Sequence, residues 1–237
     1  MSEELHDHGS GPHPADSRRR HLVELIGVFL VVCSVNLFLF AWGYERPSGV
    51  IPMELLIADM LISIGYCFLV YVLLSHDKGF DWKLPRSGVE WAKEWGWGFL
   101  LFLAFLGLVY VIAVIIGALG IESPPEYVEH VDNRAYLFTL LLFTPIIGLN
   151  EELVFRVYAQ TRLTQVTRGN RILPVLIGSV VFASVHMYDL EGSLVVLTIG
   201  LVLGISYQAN GKIPRLVLAH MFWNIMVSVM ALSDWYW

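Results

Sequence analysis

The stretch Asn150-Glu151-Glu152-Leu153-Val154-Phe155-Arg156 follows the apolar run from Tyr136 to Ile147, so three ionised side chains stand inside sequence that reads as membrane-embedded helix. A carboxylate at bilayer depth costs at least about 2.5 kcal/mol on insertion scales, and two adjacent ones double that. Such groups need a cation or a polar cavity. Glu152 and Arg156 are four apart and pair on a helix, whereas Glu151 points about 100° away and must find its partner on another element.

The surrounding composition fits that setting. The chain is 56% hydrophobic with long uncharged runs, which excludes a water-soluble domain. The net charge of -6 decides little, and no basic stripe with interleaved aromatics points to nucleic acid. Cys33 and Cys67 fall within apolar spans and imply no disulfide framework. The tail to roughly Ser17 carries His6, His8 and His13 among Gly, Pro, Asp and Ser, and reads as solvated rather than metal-binding. The apolar run after it is too long and starts too late for a cleaved signal peptide; it reads as a signal anchor.

Runs of about 17–25 apolar residues predict spans at about 22–42, 52–74, 97–119, 135–161, 172–187, 194–208 and 213–232. The expected fold is therefore an all-α polytopic bundle of about seven spans, or eight with an interfacial helix. That helix would lie between spans two and three, where Trp82, Trp91, Trp95 and Trp97 stand among basic residues. With the N-terminus in the cytoplasm, Arg18 to Arg20, Lys78, Lys83, Arg86, Lys93, Arg162, Arg168, Arg171, Lys212 and Arg215 are all inside. The external loops then hold only Arg46 and Arg134 among acidic residues, and Trp235, Tyr236 and Trp237 end outside. The chain divides into a tail at 1–20, N-terminal membrane helices with the Trp-rich segment at 21–134, a helical core at 135–232 and an external tail at 233–237. A cell (inner) membrane is the expected location. Gly200 and Gly204 form a small-xxx-small pair suited to close helix packing.

Two further polar pairs share the i to i+4 spacing, Phe182 with His186 and His220 with Asn224. Alone, each histidine is an ordinary packing residue, and Asn224 is interhelical glue. Their depths change that reading. At about 1.5 Å per residue, Glu151 lies ~16 Å from Arg162, His186 ~22 Å from Arg171, His220 ~8 Å and Asn224 ~14 Å from Arg215. All four fall in the middle of a core about 30 Å thick, so one shared aqueous cavity serves them economically.

Glu-Glu-x-x-x-Arg, Phe-x-x-x-His and His-x-x-x-Asn, in this order on successive apolar helices, resemble the CPBP family of intramembrane proteases. That family includes Rce1-type CAAX prenyl endopeptidases and bacterial relatives linked to bacteriocin processing or self-immunity. The resemblance covers roughly Ala135 to Leu232, the part of the chain it makes catalytic. It implies peptide-bond hydrolysis by a glutamate-activated water, with Glu151 as general base and His186 holding the water. His220 and Asn224 would stabilise the oxyanion, while Glu152, Arg156 and Phe182 support the site. The implied substrate is a peptide or protein tail, prenylated or not, at the lipid bilayer. Val157 departs from the glycine that many members carry after the arginine, which bears on substrate fit. No cofactor is expected; the alternative is zinc held by Glu151, His186 and His220, although no His-Glu-x-x-His is present. A non-catalytic binding, immunity or scaffold protein of the same fold is the alternative function.

Overall fold

The computed structural model describes residues 14–41, 53–77, 80–120, 134–186 and 190–230. Among them the chain is all helix and turn: α1 (Pro14–Ala41), α2 (Met53–Ser75), α3 (Gly88–Ala118), α4 (Arg134–Glu151), a π-helical segment (Glu152–Gln160), α5 (Thr161–Val166), α6 (Leu173–Ser184), α7 (Leu190–Asn210) and α8 (Ile213–Met230). The histidines of the tail, the acidic run at 122–132 and the C-terminal aromatics lie outside the described residues.

Each expected span corresponds to a helix. Residues 57–75, 88–118, 190–210 and 213–230 are long and apolar enough to cross a membrane, and α6 is a shorter apolar helix. Their outer faces carry large exposed side chains, among them Phe68, Leu100, Tyr110, Val111, Val114 and Val180. So much apolar surface would be an aggregation liability in water and is the solvent-facing surface in lipid.

One boundary differs from expectation. The Trp-rich segment is no separate interfacial helix; Trp91, Trp95 and Trp97 occupy the first turns of α3. Ser87 starts the helix early, its Oγ accepting from the Glu90 N–H at 3.2 Å while Glu90 Oε2 accepts from the Arg86 N–H at 2.7 Å. These side-chain oxygens satisfy donors at the helix entry. At about 1.5 Å per residue, α3 is ~46 Å long and outruns the hydrocarbon core, leaving its aromatic end for the interface.

The π-segment is the axis of the bundle. All nine of its residues are buried, and it packs against α2, α4, α5, α6, α7 and α8. The expected helix at 135–161 is thus three pieces, with a change of pitch immediately after Glu151. Around this axis α7 closes on α6 at Gly200 and Gly204. A Cβ at Gly200 would stand 3.1 Å from Ser179 Cβ, and one at Gly204 3.2 Å from Val175 Cγ1. α3 closes on α8 at Gly98, where a Cβ would meet Leu218 Cβ at 2.7 Å. Beside that contact Glu94 and Arg215 form a bidentate pair at 2.7 and 2.9 Å.

The α7–α8 turn is held by Gly211, whose φ of +65° suits glycine. Lys83 Nζ donates to the Asn210 carbonyl across it at 3.1 Å. Arg162, counted among the inside charges, is 1% exposed. Its guanidinium donates to Glu24 of α1, at 2.8 and 3.1 Å, and to Asp77 at the end of α2.

Candidate active site

The site forms where α4 gives way to the π-segment, facing the end of α6 and the first half of α8. Glu151 is the last residue of α4 and Glu152 the first of the π-segment. They flank one imidazole. His220 Nε2 lies 3.1 Å from Glu151 Oε2, and His220 Nδ1 lies 2.8 Å from Glu152 Oε1. Arg156 Nη1 stands 3.0 Å from Glu152 Oε1 as an ion pair, the pair expected from their spacing. Glu152, Arg156 and His220 are all under 5% exposed, whereas the Glu151 side chain keeps 20%. The carboxylate open to a reactant is therefore Glu151.

His186 approaches Glu151 from the other side, its Nε2 3.9 Å from Glu151 Oε1. α6 is only twelve residues long and stops inside the bundle. His186 lies just past that end, and its Nδ1 is 2.7 Å from the Phe182 carbonyl. A carbonyl only accepts, so Nδ1 carries the proton and donates it, filling one of the acceptors left open at a helix C-terminus. In the neutral ring Nε2 is then an acceptor aimed toward Glu151. Phe182, 1% exposed, fixes the other side of the cluster. Its ring centroid is 4.6 Å from that of His186, and the Arg156 guanidinium sits over its face at 4.0 Å.

Glu151, Glu152, Arg156, Phe182, His186 and His220 are thus brought together. Asn224 lies one turn beyond His220 on α8, half-buried. Gly148 faces α8, where a Cβ would make ordinary van der Waals contact with His220 Cβ at 3.8 Å. Val157 is fully buried in the axial segment and lines no opening.

Sequence reasoning passed over a group on α2. Asn150 Nδ2 donates to Ser63 Oγ at 3.3 Å, and Asp59 stands one turn before Ser63. The rule that singled out Glu151, an ionisable residue in an apolar span, also applies to Asp59.

Residues 133–226 match the family described as type II CAAX prenyl endopeptidase Rce1-like. The segment is similar to the domain of that family. It runs from the start of α4 into the last turns of α8 and contains each of the site residues from Glu151 to Asn224; α1, α2 and α3 precede it. The match supports protease activity, and with the four apolar helices it makes the chain an integral membrane protein. No curated protein and no solved structure matches the chain.

As for metal, among the described residues no three His, Cys, Asp or Glu side chains converge as a metal site requires.

Proposed function

We propose that the protein is an intramembrane endopeptidase that hydrolyses a peptide bond in a membrane-associated peptide or protein tail, using Glu151 to activate water. The observation that carries this reading is the Glu151 carboxylate held between two imidazole Nε2 atoms, at 3.1 and 3.9 Å. The longer gap exceeds a hydrogen bond but admits an oxygen about 2.8 Å from each atom. A water there gives one hydrogen to Glu151 and the other to His186 Nε2, leaving a lone pair for the scissile carbonyl. Glu151 takes the proton as the C–O bond forms and passes it to the leaving amine as the C–N bond breaks. His220 Nε2–H, with the Asn224 carboxamide one turn away, supplies donors for the oxyanion. Glu152 and Arg156 hold the His220 ring in register.

The scheme passes no step through a metal, and zinc held by Glu151, His186 and His220 is its alternative. Cleavage should therefore persist in strong chelator; loss restored by added zinc would overturn the metal-free scheme. The substrate is a CAAX-type tail or a leader or bacteriocin-type peptide. The N-terminus lies in the cytoplasm and the protein in the cell (inner) membrane. The direct test compares wild type, Glu151→Gln and His186→Ala, purified in nanodiscs, on prenylated and unprenylated peptides by mass spectrometry. A fall of about 10²–10⁴-fold is expected for the first variant. Unimpaired cleavage by both variants would end the claim, and biological function surviving Glu151→Gln would favour a binding or immunity role.

A further inference from the structure

We infer that α2 forms the specificity wall of this site and that Asp59 selects substrates with a positively charged side chain beside the scissile bond. The inference rests on the peptidase reading above and deepens it. α2 lies outside the matched segment 133–226, so the wall belongs to this chain's own N-terminal half.

α2 packs against both α4 and the π-segment. The contact nearest the base is Ser63 Oγ with Asn150 Nδ2, one residue before Glu151. Ser63 is 3% exposed. The carboxamide oxygen of Asn150 and the hydroxyl of Tyr66, three residues along α2 from Ser63, are both buried without a hydrogen-bond partner. A buried polar atom left unmatched costs about 1–3 kcal/mol, so a small shift of α2 that opens these two atoms to an occupant with backbone N–H and C=O groups is favoured. An extended peptide lying along α2 supplies both.

Asp59 gives this wall its charge. It shares the Ser63 face by i to i+4 spacing, is exposed, and lies within electrostatic reach of Glu151. The buried and half-buried arginines and His220 are engaged elsewhere. Arg156 pairs with Glu152, and His220 is held between Glu151 and Glu152. Arg162 is committed to Glu24 and Asp77, and Arg215 to Glu94. Among the described residues Asp59 has no cation of its own. An intramembrane carboxylate in that position attracts a substrate ammonium or guanidinium and repels a substrate carboxylate.

The test uses full-length protein in nanodiscs with a random-sequence peptide library, reading cleaved bonds by mass spectrometry. The quantity compared is the ratio of cleavage beside Lys or Arg to cleavage beside Asp or Glu, taken within each preparation so that loss of folded protein cancels. Wild type should favour the cationic class about tenfold or more. Asp59→Asn should bring the ratio toward parity, and Asp59→Lys should invert it. An unchanged ratio across the three proteins overturns the inference, as does a wild type without charge preference whose cleavage is lost in Glu151→Gln. Wild type that cleaves nothing removes the peptidase reading and this one with it.

Discussion

At the scale of single residues, His220 is the junction of the site. Both of its nitrogens face carboxylate oxygens, so the two contacts take two protons, both on the ring or one on a carboxyl. The spacings in the sequence disclosed which residues share a helix face: Glu152 with Arg156, Phe182 with His186, His220 with Asn224. They did not disclose that His220 would stand closer to Glu151 than His186 does, because distances between helices depend on crossings that a linear pattern does not encode. The buried Glu152–Arg156 pair carries a testable consequence. Removing one partner of such a pair strands the other charge and costs about 3–5 kcal/mol, while removing both charges is much less damaging. Arg156→Met should therefore lower the melting temperature in detergent sharply, and adding Glu152→Gln should recover most of that loss without restoring cleavage. If the double variant melts no higher than the single one, the pair is not what burdens the fold.

At the scale of helices, the existence and order of the apolar helices were legible because lipid demands long apolar runs. The early start of α3 at Ser87 was not, since its first turns are rich in charge and tryptophan. Nor was the change to π pitch after Glu151. Every position of the π-segment is buried, and its polar residues Glu152, Arg156 and Gln160 recur every four residues, a period that α pitch would serve equally well. A π-turn displaces side chains relative to an α-helix, and such turns occur often at functional sites. Here it begins at the residue after the proposed base and lets consecutive glutamates reach opposite nitrogens of one ring. The close approach of α3 to α8 has the same positional role, because α8 carries His220. Gly98→Leu would drive its Cβ toward Leu218 Cβ, and the Arg215 carbonyl stands only 3.1 Å from that Cβ position. Overpacking of this kind costs about 1–3 kcal/mol and should displace α8, lowering both stability and turnover. Gly96, with nothing within 4 Å of its Cβ position, is the control. Equal melting and turnover for Gly98→Leu and Gly96→Leu would show that α3 does not set the position of His220.

At the scale of the whole molecule, one polar knot ties the N-terminal helices to the segment that matches the Rce1-like family. Arg162 binds Glu24 and Asp77, and the Tyr158 hydroxyl donates to the same Glu24 oxygen at 3.1 Å. Charge bookkeeping along the chain counted Arg162 among the inside charges, and a count of charges does not disclose that the residue is buried. His21, in the part of α1 that precedes the first span, stands beside the knot. Burial, and then the Arg162 charge, hold its imidazole below the ordinary value of 6.5. The folded protein thus favours neutral His21 and the unfolded chain binds the proton more readily. That contribution to stability is complete above about pH 6.5 and is lost as pH falls below it. Between about pH 7 and pH 5 the wild type should accordingly lose more melting temperature than His21→Gln, whose side chain cannot titrate. Parallel melting curves for the two proteins across that interval would mean that His21 does not couple the knot to pH.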